Sequence, residues 1–199
     1  SGVDRVFCGG ASFTELASIR TEAQGLAFFS GFANVINAIR RVPKFVVGRV
    51  QGKAVGGGVG LASAVDYCIA TQHAAVKLSE LAVGIGPFVV GPAVERKMGL
   101  SAMSQLAIDA TEFRSAAWAQ QHGLYAQVVD DAAALDAAVD ALAERLAGQS
   151  VEATVALKNA LWHGTEHWGE LLLERAAISG RLVRTEEAQR RIQAILTKS

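Results

Sequence analysis

Between Glu22 and Arg41 the apolar residues Leu26, Phe29, Ala33, Ile36 and Ile39 recur at three- and four-residue steps, the spacing of a helix with one buried face. The run Lys44-Phe45-Val46-Val47-Gly48-Arg49-Val50 is rich in β-formers and predicts a strand. Gly56-Gly57-Gly58 then opens a short helix of small residues reaching about Val65, and two further short strands are expected at 67–70 and 75–78. Beyond Gly86 and Pro87 the pattern turns helical, with Pro92 suited to a first turn. Ser115 and Gly123 suit the N-cap and C′ positions of another helix, and Gln127-Val128-Val129 predicts a last short strand. From Ala132 onward the chain is rich in Ala, Leu, Glu and Arg and helical in pattern. Strands alternating with helices, then helices alone, predict an α/β core over 1–131 and a helical C-terminal extension over 132–199.

Composition narrows the class. A chain of 199 residues, 51% apolar and formally neutral, fits one globular domain with a helical appendage. Zero net charge gives no general attraction to phosphates or anionic membranes, so neither nucleic acid nor membrane is expected as a partner. No apolar run approaches the ~20 residues of a spanning helix. Cys8 and Cys68 lie far apart among apolar neighbours and read as two reduced, buried thiols, which sets a cytoplasmic expectation. The opening Ser1-Gly2-Val3-Asp4-Arg5 runs at once into a strand, Val6-Phe7-Cys8, as in a chain entered midway.

The glycine cluster invites several chemistries. Gly56-Gly57-Gly58-Val59-Gly60 has no Lys-Ser/Thr behind it, which excludes a Walker-type phosphate loop. A dinucleotide fingerprint lacks its acidic residue about twenty positions on. A tight turn with close helix packing is the purely structural reading. The functional one is a nest of backbone N–H groups at a helix N-terminus, suited to a developing negative charge.

The stretch Val46 to Gly58, continuing through Leu61-Ala62-Ser63-Ala64-Val65-Asp66-Tyr67-Cys68-Ile69-Ala70, resembles the central signature of the crotonase superfamily, the enoyl-CoA hydratases and isomerases. Val6-Phe7-Cys8-Gly9-Gly10-Ala11-Ser12-Phe13 resembles that family's first oxyanion loop. Lys77-Leu78-Ser79-Glu80-Leu81-Ala82-Val83-Gly84-Ile85 resembles its catalytic-glutamate segment, and 113–129 its helix and strand closing the core. The resemblance implies a spiral of ββα turns and a helical tail that mediates a homotrimer or homohexamer. It implies that Ala11 and Gly57 donate backbone N–H groups to a thioester oxygen, and that Glu80 is the acid/base. Gly9, Gly10, Phe13, Gly56, Gly60, Pro87 and Phe88 then fall at substrate-binding positions. Coenzyme A enters as part of an acyl-CoA substrate; no separate cofactor or metal is implied.

The chemistry fits these residue types. A thioester becomes enolate-like when a proton leaves its α-carbon, and two preorganised N–H donors stabilise that oxyanion, each by about 3–4 kcal/mol of barrier. Glu80 sits among apolar residues, so desolvation is expected to raise its pKa; the alternative is a solvated turn carboxylate. Family hydratases carry a second glutamate where this chain has Gly60, and the isomerases that keep one glutamate carry Pro-Phe much like Gly86-Pro87-Phe88 here. That tilts the expectation toward isomerisation, with hydration through a backbone-held water and Glu80 alone, or a non-catalytic acyl-CoA-binding homologue, as the alternatives. Ser12 and Ser79 stand where aspartate and proline are common in the family. Arg49 interrupts an apolar strand, and Asp66 is its candidate partner. His163 and His167 are spaced i, i+4, but Gly164 stands where a metalloprotease needs glutamate, so Trp162, His163, His167 and Trp168 are expected to pack the tail over the core or the acyl end of the pocket.

Overall fold

A computed structural model describes residues 5–197; the opening Ser1-Gly2-Val3-Asp4 lies outside them. The strands are β1 (Val6–Cys8), β2 (Val47–Val50), β3 (Lys53–Val55), β4 (Tyr67–Thr71), β5 (Val76–Lys77) and β6 (Gln127–Val129). They form two parallel sheets, ordered β1-β3-β5 and β2-β4-β6. Successive strands therefore go to alternate sheets, so each turn of the chain adds one strand to both. This is the expected α/β spiral.

The helices are α1 (Phe13–Ser18), α2 (Glu22–Arg41), α3 (Gly57–Ala64), α4 (Gly91–Ile108), α5 (Ala116–Gln121), α6 (Ala132–Ala147), α7 (Val151–Leu161), α8 (Trp168–Leu182) and α9 (Glu186–Leu196). Their ends follow local chemistry. Thr21 and Gln24 form a reciprocal capping box at α2, whose last turn carries Arg40 and Arg41 against the helix dipole. Ser115 caps α5, and Gly123 follows it at φ +81°. Asp131 caps α6 through the Ala134 N–H. α4 breaks at Gly99, whose φ of +80° no helix interior accepts.

Two elements escaped the sequence pattern. β3 is three residues between Gly52 and Gly56, too short to show a period. α1 is six residues, opened by Ser12, which accepts from the Glu15 N–H at 3.3 Å; the Ser-x-x-Glu spacing was the signal available. β2 starts at Val47 rather than Lys44, since Val46 is tied to Asp66 Oδ2 instead.

One core unites the sheets and the tail. Phe29, Ala33 and Ile36 of α2 and Trp168, Leu172 and Ala176 of α8 are buried in the cluster that also holds Val50, Val59 and Leu78. Each large side chain sealed there stabilises the fold by roughly 1.5–3 kcal/mol. Among the described residues no helix is long and apolar enough to cross a membrane.

Three side-chain expectations are corrected. Arg49 is not buried against Asp66; it pairs with Asp136 of α6 at 2.5 Å, in a surface contact with the two side chains 37% and 57% exposed. Asp66 takes Lys158 instead, at 2.5 Å with both side chains buried, because α7 brings that ammonium onto the carboxylate from above α2. His163 and His167 are exposed, with His163 beside Glu166 at 3.3 Å. Only the tryptophans pack: Trp162 donates to Asp66 Oδ1 and stands edge-on to buried Trp168. Cys68 is buried, but Cys8 is only half-buried; both are free thiols.

Candidate active site

The parallel order β1-β3-β5 places three chain segments side by side at the carboxyl ends of neighbouring strands. Gly9-Gly10-Ala11 follows β1, Gly56-Gly57 follows β3, and Ser79-Glu80 follows β5. Residues distant in sequence converge there because parallel strands all end on the same side. The cleft they share is open to solvent at its mouth and is lined mostly by apolar groups.

The first two segments nearly touch. A Cβ added to Gly10, which holds φ +85°, would stand 2.9 Å from the Val55 carbonyl oxygen and 3.4 Å from the Gly57 nitrogen. Gly57 is the first residue of α3, so no carbonyl lies one turn back to take its N–H. Among the described residues, neither Ala11 nor Gly57 donates its N–H to a turn or loop carbonyl. Two unspent backbone donors thus lie at one end of the cleft, one of them at a helix N-terminus where the dipole favours negative charge.

The third segment brings the carboxyl group. Glu80 starts a single 3-10 turn over Leu81–Val83, and its carbonyl accepts from Val83 and Ile85 at 3.2 and 3.0 Å. A Cβ on Gly56 would stand 3.1 Å from Glu80 Oε1, so the glycine at φ +53° makes the turn and also leaves the carboxyl its place. Although Glu80 as a residue is half-buried, its Oε2 is sealed and has no hydrogen-bond partner. Burial pushes the carboxyl up from 4.5 to about 7, against a weaker opposing hydrogen bond from its own backbone. A group poised near neutrality can both take and return a proton.

Gly9, Gly10, Ala11, Phe13, Gly56, Gly57, Glu80, Pro87 and Phe88 all line this cleft. Gly60 does not. It is buried, and a Cβ there would fall 2.4 Å from Val90 Cγ1. Val90 itself lines the cleft, so a valine from the start of α4 stands between Gly60 and the site. Sequence reasoning also missed Leu16, Phe32 and Ser179. Phe32 lies three residues past Phe29 on the same helical face, a spacing that could have found it. Ser179 comes from the tail helix α8, and no local pattern marks it. Ser79 and Ser12 depart from the family pattern without disturbing the layout: Ser79 lines the cleft and Ser12 caps α1. Among the described residues no group of three or more His, Cys, Asp or Glu side chains is placed to hold a metal ion.

Comparison with known proteins bears on this arrangement. A family model described as enoyl-CoA hydratase/isomerase matches residues 1–194. The chain is 30% identical to a Bacillus subtilis protein named "Probable enoyl-CoA hydratase", over 99% of this chain and 77% of that protein. It is 28% identical to an Arabidopsis thaliana peroxisomal Delta(3,5)-Delta(2,4)-dienoyl-CoA isomerase, over 83% of this chain and 64% of that one. A crystal structure of an enoyl-CoA hydratase from Bacillus halodurans superposes with a TM-score of 0.86, covering 96% of this chain and 78% of that one at 22% identity, a likeness of fold. With residues 1–194 matched by that family model and its site built from the three converging segments, the chain belongs to the enoyl-CoA hydratase/isomerase family.

Proposed function

We propose that the cleft binds an acyl-CoA thioester with its carbonyl oxygen between the Ala11 and Gly57 N–H groups, and that Glu80 moves a proton on the acyl chain. The observation that carries this reading is Glu80 Oε2, sealed without a hydrogen-bond partner in an apolar cleft beside two unspent backbone donors. In a 1,3-proton shift the carboxylate takes a proton from the α-carbon, the thioester oxygen gains the charge, and the same carboxyl returns the proton to the γ-carbon. One base suffices. Hydration also needs a water held and activated at the β-carbon, and the place from which a second carboxylate would serve it is filled by Val90. Isomerisation is therefore the preferred reaction. Hydration is the second reading, favoured by the name of the Bacillus subtilis relative.

The test is product analysis with 3-hexenoyl-CoA and 2-hexenoyl-CoA. Double-bond shift well in excess of 3-hydroxyacyl-CoA supports isomerisation, and the reverse ratio supports hydration. The reading also includes assembly as a homotrimer or homohexamer, supported by exposed Val151, Leu157 and Leu161 on α7; light scattering showing monomers alone would remove that part.

A further inference from the structure

The tail helix α8 reaches the cleft through an unusually close helix crossing. A Cβ on Gly25 of α2 would fall 2.6 Å from the Gly180 carbonyl oxygen, and one on Gly180 would fall 2.7 Å from the Gly25 carbonyl carbon. At the other end of the pair, Gly169 faces Arg41, so the two helices run antiparallel in direct backbone contact at the Gly25 end. This closeness carries Ser179, the neighbour of Gly180, into the wall that also holds Leu16 and Phe29.

Ser179 is 1% exposed. A serine inside a helix ordinarily turns its hydroxyl to water or back to the carbonyl four residues earlier. Here the backbone carbonyl of Ser179 accepts from Val183, while its hydroxyl has no partner among the described residues. Alanine would serve the helix crossing equally well and would leave no polar group unpaired. The other polar side chains lining the cleft, Ser79 and Glu80, both follow β5. Ser179 therefore adds a separate hydrogen-bonding group on the α1–α2 wall, where Leu16, Phe29 and Phe32 are apolar.

Resting on the thioester reading above, we propose that Ser179 determines substrate choice: its hydroxyl pairs with an oxygen function, hydroxyl or carbonyl, carried by the acyl chain beyond the reacting carbons. The preferred substrates are then oxygenated acyl-CoAs rather than plain hydrocarbon ones of the same length. A polar group left unpaired in a closed site penalises the ligand that cannot satisfy it, which is how such sites discriminate.

The experiment measures kcat/KM for α-proton exchange from hexanoyl-CoA and from its 4-, 5- and 6-hydroxy and 5-oxo derivatives, with native protein, Ser179→Ala and Ser179→Thr. Native protein is expected to favour at least one oxygenated chain over hexanoyl-CoA by about tenfold. Ser179→Ala should abolish that preference, read as the ratio of kcat/KM for the oxygenated chain to that for hexanoyl-CoA, and Ser179→Thr, which keeps the hydroxyl, should retain part of it. An equal preference in native protein and Ser179→Ala, or a native preference for hexanoyl-CoA, overturns the role of Ser179 while leaving the thioester reading intact. No exchange from any of these thioesters by native protein overturns both.

Discussion

The side chain of Val90 occupies the space that any side chain at position 60 would need, with Cγ1 2.4 Å from a Cβ built on Gly60. Valine is stiff at χ1 and this one is 4% exposed, so it has little room to yield. Gly60→Glu alone should therefore destabilise the fold and gain no hydration. Combined with Val90→Ala, it should turn product toward 3-hydroxyacyl-CoA, read as the ratio of hydrated to shifted product. A single Gly60→Glu variant that folds normally and hydrates would show that the space is not closed.

Glu80 ties activity and stability to pH in opposite senses. With its carboxyl raised from 4.5 to about 7 by burial, the base form needed to start catalysis is lost below about pH 7, and the rate should fall there. For stability, the folded state holds the proton more tightly than the unfolded one. The contribution is full below about pH 4.5, shrinks as pH rises through about 7, and then stays lost. The shift corresponds to about 3 kcal/mol. Glu80→Gln should thus be more stable than native protein above pH 7 and show no such loss between pH 4.5 and 7. Thermal melts of both proteins across that window check the sign; parallel curves would place the carboxyl in water.

Gly57 is constrained by its neighbour more than by a ligand. A Cβ there would fall 2.2 Å from Phe32 Cε1, so Gly57→Val must push out an aromatic ring that lines the cleft. The expected cost is about 1–3 kcal/mol of stability together with loss of turnover. Adding Phe32→Ala should restore much of the stability and little of the activity. Melting temperature and turnover, measured on the single and double variants, separate the two effects.

How much of this was legible in the sequence depended on how local the cause was. The α2 periodicity, the Ser115 cap and the small-residue helix after Gly56-Gly57-Gly58 are set within a few residues, and they stand where the pattern put them. β3 and α1 are too short to carry a period, although both position the site. The identity of the charged partners was not legible. Arg49 lies on β2 and Asp66 just before its paired strand β4, yet α7 and α6 deliver Lys158 and Asp136 from far along the chain. Gly60 and Ser179 fail for the same reason: what each faces is decided by helices that pack from a distance. The raised pKa of Glu80 was legible, since the apolar strand before it and Leu81-Ala82-Val83 after it foretold its desolvation.

The buried pair offers a test of the tail's contribution to stability. Asp66 accepts from Lys158, Trp162 and the Val46 N–H at 2.5, 2.7 and 2.8 Å. Lys158→Met leaves that carboxylate buried without its countercharge and should cost about 3–5 kcal/mol, read by urea unfolding. Adding Asp66→Asn should recover part of the loss. A Lys158→Met variant as stable as native protein would contradict the pairing.

The central claim is that Glu80 moves a proton at the carbon next to a thioester held by two backbone donors. Incubating the protein with hexanoyl-CoA in deuterium oxide and following label at the α-carbon tests it without assuming a product. Native protein should exchange that position, and Glu80→Gln should bind the same thioester with similar affinity while exchanging it at least a hundredfold more slowly, within the ~10²–10⁴ of general acid–base catalysis. Exchange by Glu80→Gln at the native rate would contradict the account.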